Sequence, residues 1–162
     1  MFSTALHHAD AAVTRALAFT LSHSSRNLVT LAVVSAATHT GCMHMAAPSN
    51  LDYGRTRSSE HGLYRAAIKP EGDSIPQGKL QKWTLHLDAA NGTPVSAAKV
   101  AVDGGMPQHG HGLPTKPRVT RELGNGDYLV EGMKFNMGGW WVVKFRVNSA
   151  VGADSLVFNL SL

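Results

Sequence analysis

From residue 61 to the C-terminus, hydrophobic and polar residues alternate in short runs that are separated by turn-forming residues. In residues 80–87, for example, Trp83, Leu85 and Leu87 alternate with polar side chains. A period of two is the mark of a β-strand with one buried face. The same alternation predicts further strands in residues 63–68, 95–102, 119–123, 128–133, 141–147 and 156–160.

Two Asn-Gly dipeptides, Asn91-Gly92 and Asn125-Gly126, predict tight hairpin turns because both residue types accept a positive φ. No run of eleven residues in this region has the 3.6-residue period of a helix. The pattern therefore predicts an all-β domain, an immunoglobulin-like β-sandwich of about seven strands. The Cys-Trp-Cys pattern of true immunoglobulin domains is absent, so this prediction depends on strand number and alternation.

The N-terminal part has a different pattern, in which an apolar run of ten residues, 28–37, follows Arg26. The run is too short for a membrane-spanning helix, which needs about 20 residues, and it fits the hydrophobic region of a signal peptide. Thr40-Gly41-Cys42 resembles the lipobox of bacterial lipoproteins, although His39 stands where that motif usually has Leu. We therefore expect residues 1–42 to be a leader, a lipoprotein signal that ends at Cys42, the lipidation site.

A plain secretory signal, cut for instance after Ala46 or Ala47, is the alternative to lipidation. The length of residues 1–25 leaves open whether the leading region is extended or translation starts downstream of Met1. Either signal predicts a periplasmic or otherwise extracytoplasmic protein, which lipidation would anchor to the membrane. Residues 43–60 are polar and lack periodicity, which predicts a flexible tether before the folded domain, residues 61–162.

Charge and cysteine content narrow the function classes. The net charge is +4, and the basic residues are scattered rather than clustered, which argues against a nucleic-acid partner. With one cysteine, the chain forms no intramolecular disulfide. Enzyme motifs such as Gly-x-Ser-x-Gly, a Walker loop or His-Glu-x-x-His are absent, and the single thiol lies in the leader. We expect no catalytic residues.

Residues 104–117 interrupt the alternation with four glycines and three prolines, and they contain His109 and His111. On an extended backbone these two imidazoles project to one side, and imidazole is the commonest metal-ligand nitrogen. Met133 and Met137 are four residues apart, so on a strand they would share a face. Thioether sulfur favours Cu(I), and imidazole suits Cu(II), Zn and Ni, so a mixed set favours copper. The candidate metal ligands are His109, His111, Met106, Met133 and Met137.

Each candidate also has an interpretation without metal. Met133 alone is typical of a core residue that fills a gap, and His-Gly-His is also typical of a hydrogen-bonded loop. His86 alternates outward on its strand, which predicts a solvated surface residue. Trp140 and Trp141 are adjacent, so they should point to opposite faces, with one of them in the core.

The His-Gly-His segment and the Met-x-Gly-x-Trp segment together resemble the YtkA-like (FixH/YtkA) domain family over roughly residues 61–162. The matching positions are Met106-Pro107-Gln108-His109-Gly110-His111-Gly112, Pro114, Pro117, Gly126-Asp127-Tyr128, Gly132-Met133, Phe135, Met137, Gly139, Trp140 and Trp141. The resemblance implies a small extracytoplasmic β-sandwich that occurs in contexts of copper handling and haem-copper oxidase assembly. It also implies that all five candidate ligands are recurrent family residues. FixH-type members carry a spanning helix, whereas the sequence of this chain predicts a cleavable leader.

These observations predict a copper-favoured metal-binding accessory protein, with copper or a copper-handling envelope membrane complex as its partner. The alternative is a non-catalytic structural or interaction module of a bacterial envelope complex that binds no metal.

Overall fold

The structure is a computed structural model that describes residues 46–162, so the leader, Cys42 and the start of the tether lie outside the described residues. Every regular element of the described part is a strand, and no helix there is long and apolar enough to cross a membrane. The strands are β1 (Thr56–Ser58), β2 (Tyr64–Pro70), β3 (Gln81–Ala89), β4 (Lys99–Met106), β5 (His111–Gly112), β6 (Arg118–Gly124), β7 (Asp127–Met133), β8 (Trp140–Ser149) and β9 (Gly152–Ser161).

The strands form two antiparallel sheets, one in the order β1-β2-β3-β7-β6 and the other in the order β5-β4-β8-β9. Without the short strands β1 and β5, these orders are the ABED and CFG sheets of a constant-type immunoglobulin fold. The predicted immunoglobulin-like sandwich is therefore confirmed. Its seven predicted strands correspond to β2, β3, β4, β6, β7, β8 and β9.

The two additional strands are short and carried no alternation signal. Strand β1 lies inside the range 43–60, which the sequence analysis assigned to the tether. It pairs with β2, and the amide of Ile68 donates to the carbonyl of Arg55 at 2.9 Å. Three residues at a sheet edge are too few to establish a period, so polar composition alone suggested a linker. The sheet begins within the expected tether.

The core lies between the inner faces of the two sheets. As the alternation predicts, Trp83, Leu85 and Leu87 point inward and are 0–1% exposed. From the facing sheet, the rings of Phe145 and Phe158 meet edge to face, with centroids 5.8 Å apart. Each such side chain contributes about 1.5–3 kcal/mol by leaving water, which makes this alternation the main determinant of the sandwich.

The two Asn-Gly turns behave differently. Asn125 and Gly126 have φ values of 50° and 78° and join the paired strands β6 and β7, as predicted. Asn91-Gly92 also reverses the chain, because the amide of Gly92 donates to the carbonyl of Ala89 at 2.9 Å. The following strand, β4, starts at Lys99 and pairs with β8 in the other sheet. Residues 93–95 nevertheless run back beside β3, since the amide of Ala89 donates to the carbonyl of Thr93 and the amide of Val95 donates to the carbonyl of Leu87, both at 2.9 Å, and Asp88 pairs with Pro94. The predicted hairpin turn at Asn91-Gly92 is therefore confirmed, but the pairing lasts only a few residues, because a local turn does not determine which sheet the next strand joins.

Candidate functional site

The His-Gly-His segment forms the tip of the hairpin between β4 and β5. Met106, the last residue of β4, pairs with His111 of β5. Its carbonyl accepts hydrogen bonds from the amides of His109 at 3.1 Å and Gly110 at 3.0 Å, which closes the turn. Gly110 has a φ of 66°, a conformation that favours glycine at this position. The sequence therefore builds a short, hydrogen-bonded hairpin that carries both imidazoles.

Gly104 and Gly105 allow this hairpin to lie close to the sheet. A Cβ atom on Gly104 would lie 2.3 Å from the carbonyl oxygen of Val142 on β8. A Cβ atom on Gly105 would lie 2.3 Å from the carbonyl oxygen of His111 on β5. Both neighbours are backbone atoms, which cannot rotate away as a side chain would. Strand β4 therefore needs glycine at two successive positions at the base of the hairpin, one close to β8 and the other close to β5.

The two imidazoles lie next to each other and are exposed to solvent. The ring centroids of His109 and His111 are 5.9 Å apart, and the planes differ by 28°. Nδ1 of His111 lies 3.0 Å from the carbonyl oxygen of Gly112. A carbonyl oxygen only accepts, so Nδ1 carries the proton, and Nε2 of the neutral ring holds the lone pair. In this tautomer Nε2 of His111 would be the nitrogen available to a metal, with the ring held by the hydrogen bond on its other side.

Trp141 connects the hairpin with the loop of residues 134–139. Its ring is fully buried and meets the ring of His111 edge-on, with centroids 5.7 Å apart. Its Nε1 donates to the carbonyl of Met137 at 3.0 Å. Trp140 points to the outer face, where its Nε1 donates to Oδ1 of Asn159 at 3.0 Å. The prediction that the two tryptophans face opposite sides, one of them in the core, is confirmed.

The three candidate methionines occupy different environments. Met137 is 41% exposed, whereas Met106 is 1% exposed and Met133 is fully buried. Met133 is the last residue of β7 and Met137 lies in the following loop, so the expectation that they share a strand face is wrong. The chain leaves the strand because buried Phe135 anchors the loop, with its carbonyl accepting from the amide of Gly78 at 2.7 Å.

Met106 lies beneath the hairpin, close to the loop that carries Met137. A Cβ atom on Gly139 would lie 2.9 Å from the Cε atom of Met106, so the missing side chain makes room for the methionine methyl group. The candidates therefore divide into three donors that reach solvent, namely His109, His111 and Met137, and two thioethers in the interior. Of those two, Met106 is adjacent to the hairpin, and Met133 belongs to the apolar core.

An open cleft of about 290 Å³ lies beside His111 on the outer face of the sheet. Gly104 and Gly105 contribute to its floor, and Asp103 and Lys144 are among the charged residues that line it. A small molecule or a partner side chain can thus approach the hairpin from this face.

Sequence reasoning missed a polar network around Asp154, at the opposite end of β9. The carboxylate is buried and accepts from the amides of His61 at 3.1 Å, Leu63 at 3.3 Å and Ser155 at 2.8 Å. Nδ1 of His61 lies 2.9 Å from Oδ1 of Asp154. Burial raises the pKa of Asp154, but hydrogen bonds from the Ser59 hydroxyl, the His61 ring and these amides outweigh it and hold that pKa well below its usual range.

The contact with the Asp154 carboxylate raises the pKa of His61, mainly through the hydrogen bond between the ring and that carboxylate. Glu60, His61 and Asp154 offer ligand atoms within 4.8 Å of one another. Each carboxylate oxygen of Asp154 already accepts protein hydrogen bonds, so the network ties the residues after β1 to β9. One sequence signal pointed to it: Leu156 and Phe158 face inward, and the period of two therefore places Asp154 on the same inner face.

His86 is also more constrained than the sequence suggested. It points outward as predicted, but its Nδ1 lies 2.7 Å from Oδ1 of Asp127 and its Nε2 lies 3.2 Å from Oδ1 of Asp88. The hydrogen bond to Asp127 is the main reason why the pKa of His86 is raised. The side chain is 40% exposed, so His86 is a surface residue as predicted, and the two carboxylates additionally hold its ring. Asp127 is its register partner on β7, a pairing that alternation alone does not reveal.

The fold and the hairpin together define a class, an immunoglobulin-like β-domain that presents an exposed imidazole pair beside a glycine-rich methionine loop. Residues 59–146 match the family model described as YtkA-like, and the chain belongs to the YtkA-like family. The comparison with curated proteins gives no match. Among solved structures, the chain is similar to one titled "ZirS C-terminal Domain", at 14% identity and a TM-score of 0.38, over 87% of this chain and 97% of that one. A similarity this distant says nothing about function.

Proposed function

We propose that the chain is an extracytoplasmic metal-binding accessory protein, with copper as the favoured metal. In this proposal His109 and His111 supply two imidazole ligands and Met137 supplies an exposed thioether. The observation that carries it is the pair of neighbouring imidazoles on a hydrogen-bonded hairpin, with the His111 tautomer set by the carbonyl of Gly112. No catalytic residue is part of the proposal.

The spacing of the two rings is compatible with a shared ion. An imidazole nitrogen binds a first-row metal at about 2.0–2.1 Å, so two imidazoles on one ion have ring centroids roughly 4.5–6.3 Å apart. The 5.9 Å between His109 and His111 falls within that range. The rings are nearly parallel, so side-chain rotation would have to bring the two nitrogens together. Their exposure leaves space for that rotation.

The type of donor favours copper over zinc. Zinc sites in proteins are built from Cys, His and carboxylate, whereas thioether sulfur is a soft ligand that selects Cu(I). Met137 has an exposed side chain, and its backbone carbonyl accepts from the ring of Trp141, which also meets His111. Met106 lies just beneath the hairpin. Burial of Met133 removes it from our proposed ligand set. The family resemblance supports a role in copper handling or in the assembly of a haem-copper oxidase.

The proposed location is outside the cytoplasm, behind the leader of residues 1–42. Lipidation of Cys42 would hold the domain at the membrane surface, within reach of a copper-handling envelope complex. The metal-free alternative, an interaction module of an envelope complex, is supported by the burial of two of the five candidate ligands and by the cleft beside His111.

Copper titration of the purified, tag-free full-length chain tests the proposal. We expect about one copper ion bound at the hairpin with a defined affinity, and at least about tenfold weaker binding when both His109 and His111 are replaced by Ala. The matched control replaces His61 and His86 by Gln, which removes two histidines elsewhere in the domain. Unchanged affinity in the His109/His111 variant, or equal losses in both variants, would reject the hairpin as the metal site.

A further inference from the structure

The outer face of the β5-β4-β8-β9 sheet has an excess of exposed positive charge. Lys99 on β4 and Lys144 and Arg146 on β8 point to solvent. Within residues 46–162, none of the three forms an ion pair. Asp103, across from Lys144, is the carboxylate on this face, and its Oδ1 accepts from the amide of Gly104 at 2.8 Å. The face therefore keeps two net positive charges.

The outer face of the other sheet also carries exposed cations. Lys82 lies 3.2 Å from Glu131, and His86 lies between Asp88 and Asp127. Arg65 and Lys69 on β2 point to solvent on that face and form no ion pair within residues 46–162. Unpaired cations alone therefore do not distinguish the two faces. What distinguishes the β5-β4-β8-β9 face is the groove between Lys99 and Arg146, where complementary charge can steer a partner.

The shape of the positive face narrows the class of partner. A groove of about 540 Å³ runs between Lys99 and Arg146, over a floor that includes the small side chains of Ala101, Ala153 and Ser155. Asp154 and His61 also line this groove, but the Asp154 carboxylate is buried and already accepts hydrogen bonds from the protein. Lys144 and Arg146 are two residues apart on β8, which places them about 6.6–6.8 Å apart along the strand. That spacing equals the distance between alternate side chains of an extended peptide.

We propose that this face is a docking surface for an extended acidic segment of a partner protein, with carboxylates at alternate positions. The carboxylates would meet Lys144, Arg146 and Lys99, and the backbone would lie over the floor of the groove. Lys99 and Arg146 line a groove, which an extended chain can enter and a flat lipid surface cannot. Lys144 also lines the cleft beside His111, so a docked segment would lie next to the His-Gly-His hairpin. The surface requires no bound metal.

Fluorescence anisotropy with a labelled ten-residue peptide of alternating Glu and Ser tests this proposal on the full-length chain. Charge reversal of Lys99 and Arg146 to Glu should weaken binding at least about tenfold. The matched control, Lys69→Glu with Arg121→Glu on the opposite sheet, changes the net charge equally and should stay within about threefold of the unmodified chain. If the reversed variant does not fold, Lys99→Gln with Arg146→Gln replaces it.

Two further comparisons separate the proposed partner from others. A peptide with the same number of glutamates in one block should bind more weakly than the alternating peptide, because its charges do not match the strand spacing. Vesicles containing phosphatidylglycerol should not bind more tightly to the unmodified chain than to the charge-reversed variant. Failure of the alternating peptide to bind at low salt, equal losses in both charge variants, or vesicle binding that depends on Lys99 and Arg146 would each overturn the proposal.

Discussion

Replacing Gly105 by Ala should disrupt the proposed metal site while leaving the sandwich folded. The added Cβ would lie 2.3 Å from the carbonyl oxygen of His111 and 2.9 Å from the Cα of Gly112. An unstrained contact between a carbon and an oxygen atom is about 1 Å longer than the distance to the His111 carbonyl oxygen. Strand β5 must therefore move away from β4. Overpacking of this kind costs about 1–3 kcal/mol. Because β5 is a two-residue edge strand, we expect a stability loss near the lower end of that range.

The effect on the metal should be larger than the effect on stability, because the displaced residue is itself a proposed ligand. Shifting His111 changes both its position and its hydrogen bond to Gly112, and disturbances of this kind typically cost 10- to 100-fold in metal affinity. Gly112→Ala is the matched control. Its Cβ would lie 3.5 Å from the carbonyl oxygen of Gly104, an ordinary contact, and Gly112 is the register partner of Gly105.

Competition with a chromophoric copper chelator measures the affinity, and chemical denaturation measures the stability. We expect Gly105→Ala to weaken copper binding about 10- to 100-fold and Gly112→Ala to change it by less than about threefold. Equal affinities in the two variants would refute the reasoning, because they would mean that the position of His111 does not matter to the metal.

Two further variants test the core and the Asp154 network. Met133→Ala should cost about 2–5 kcal/mol in the free energy of unfolding, because the side chain is fully buried, and should leave copper stoichiometry unchanged. Lower stoichiometry in a folded Met133→Ala protein would return Met133 to the ligand set. Asp154→Asn should cost about 2–4 kcal/mol at neutral pH, because an amide nitrogen would face backbone N–H donors. The folded-state pKa of Asp154 is lowered, so its contribution is complete above the unfolded pKa of about 3.9 and is lost as the pH falls towards the folded value. Denaturation at several pH values should therefore show the two proteins converging below about pH 4, and a constant difference down to the lowest pH would contradict the assignment.

Most of the fold could be predicted from the chain because its strands are amphipathic with a strict period of two. Trp83, Leu85 and Leu87 behave as the pattern requires, and Asn125-Gly126 forms the turn that its residues favour. The pairing of β4 with β8 instead of β3 could not be predicted, since it depends on packing between sheets. Local signals describe a strand or a turn, but they do not select the sheet in which the next strand lies.

The proposed metal site was predictable only in part, because sequence patterns reveal local motifs but not contacts between distant residues. The His-Gly-His loop is a local motif, and the structure brings its two rings together. The methionines depend on where β7 ends, and Phe135 turns the chain so that Met133 is buried while Met137 is exposed. The contact between Asp154 and His61 joins residues far apart in sequence, so only the inward position of Asp154 could have indicated it.

X-ray absorption at the copper edge tests the central claim most directly, on the copper(I)-loaded full-length chain and two methionine variants. The account predicts imidazole nitrogen at about 2.0 Å and one sulfur at about 2.3 Å, distances typical of such ligands on a first-row metal. The sulfur signal should disappear in Met137→Leu and persist in Met133→Leu. A spectrum without imidazole, or a sulfur signal that survives in Met137→Leu, would contradict the proposed site.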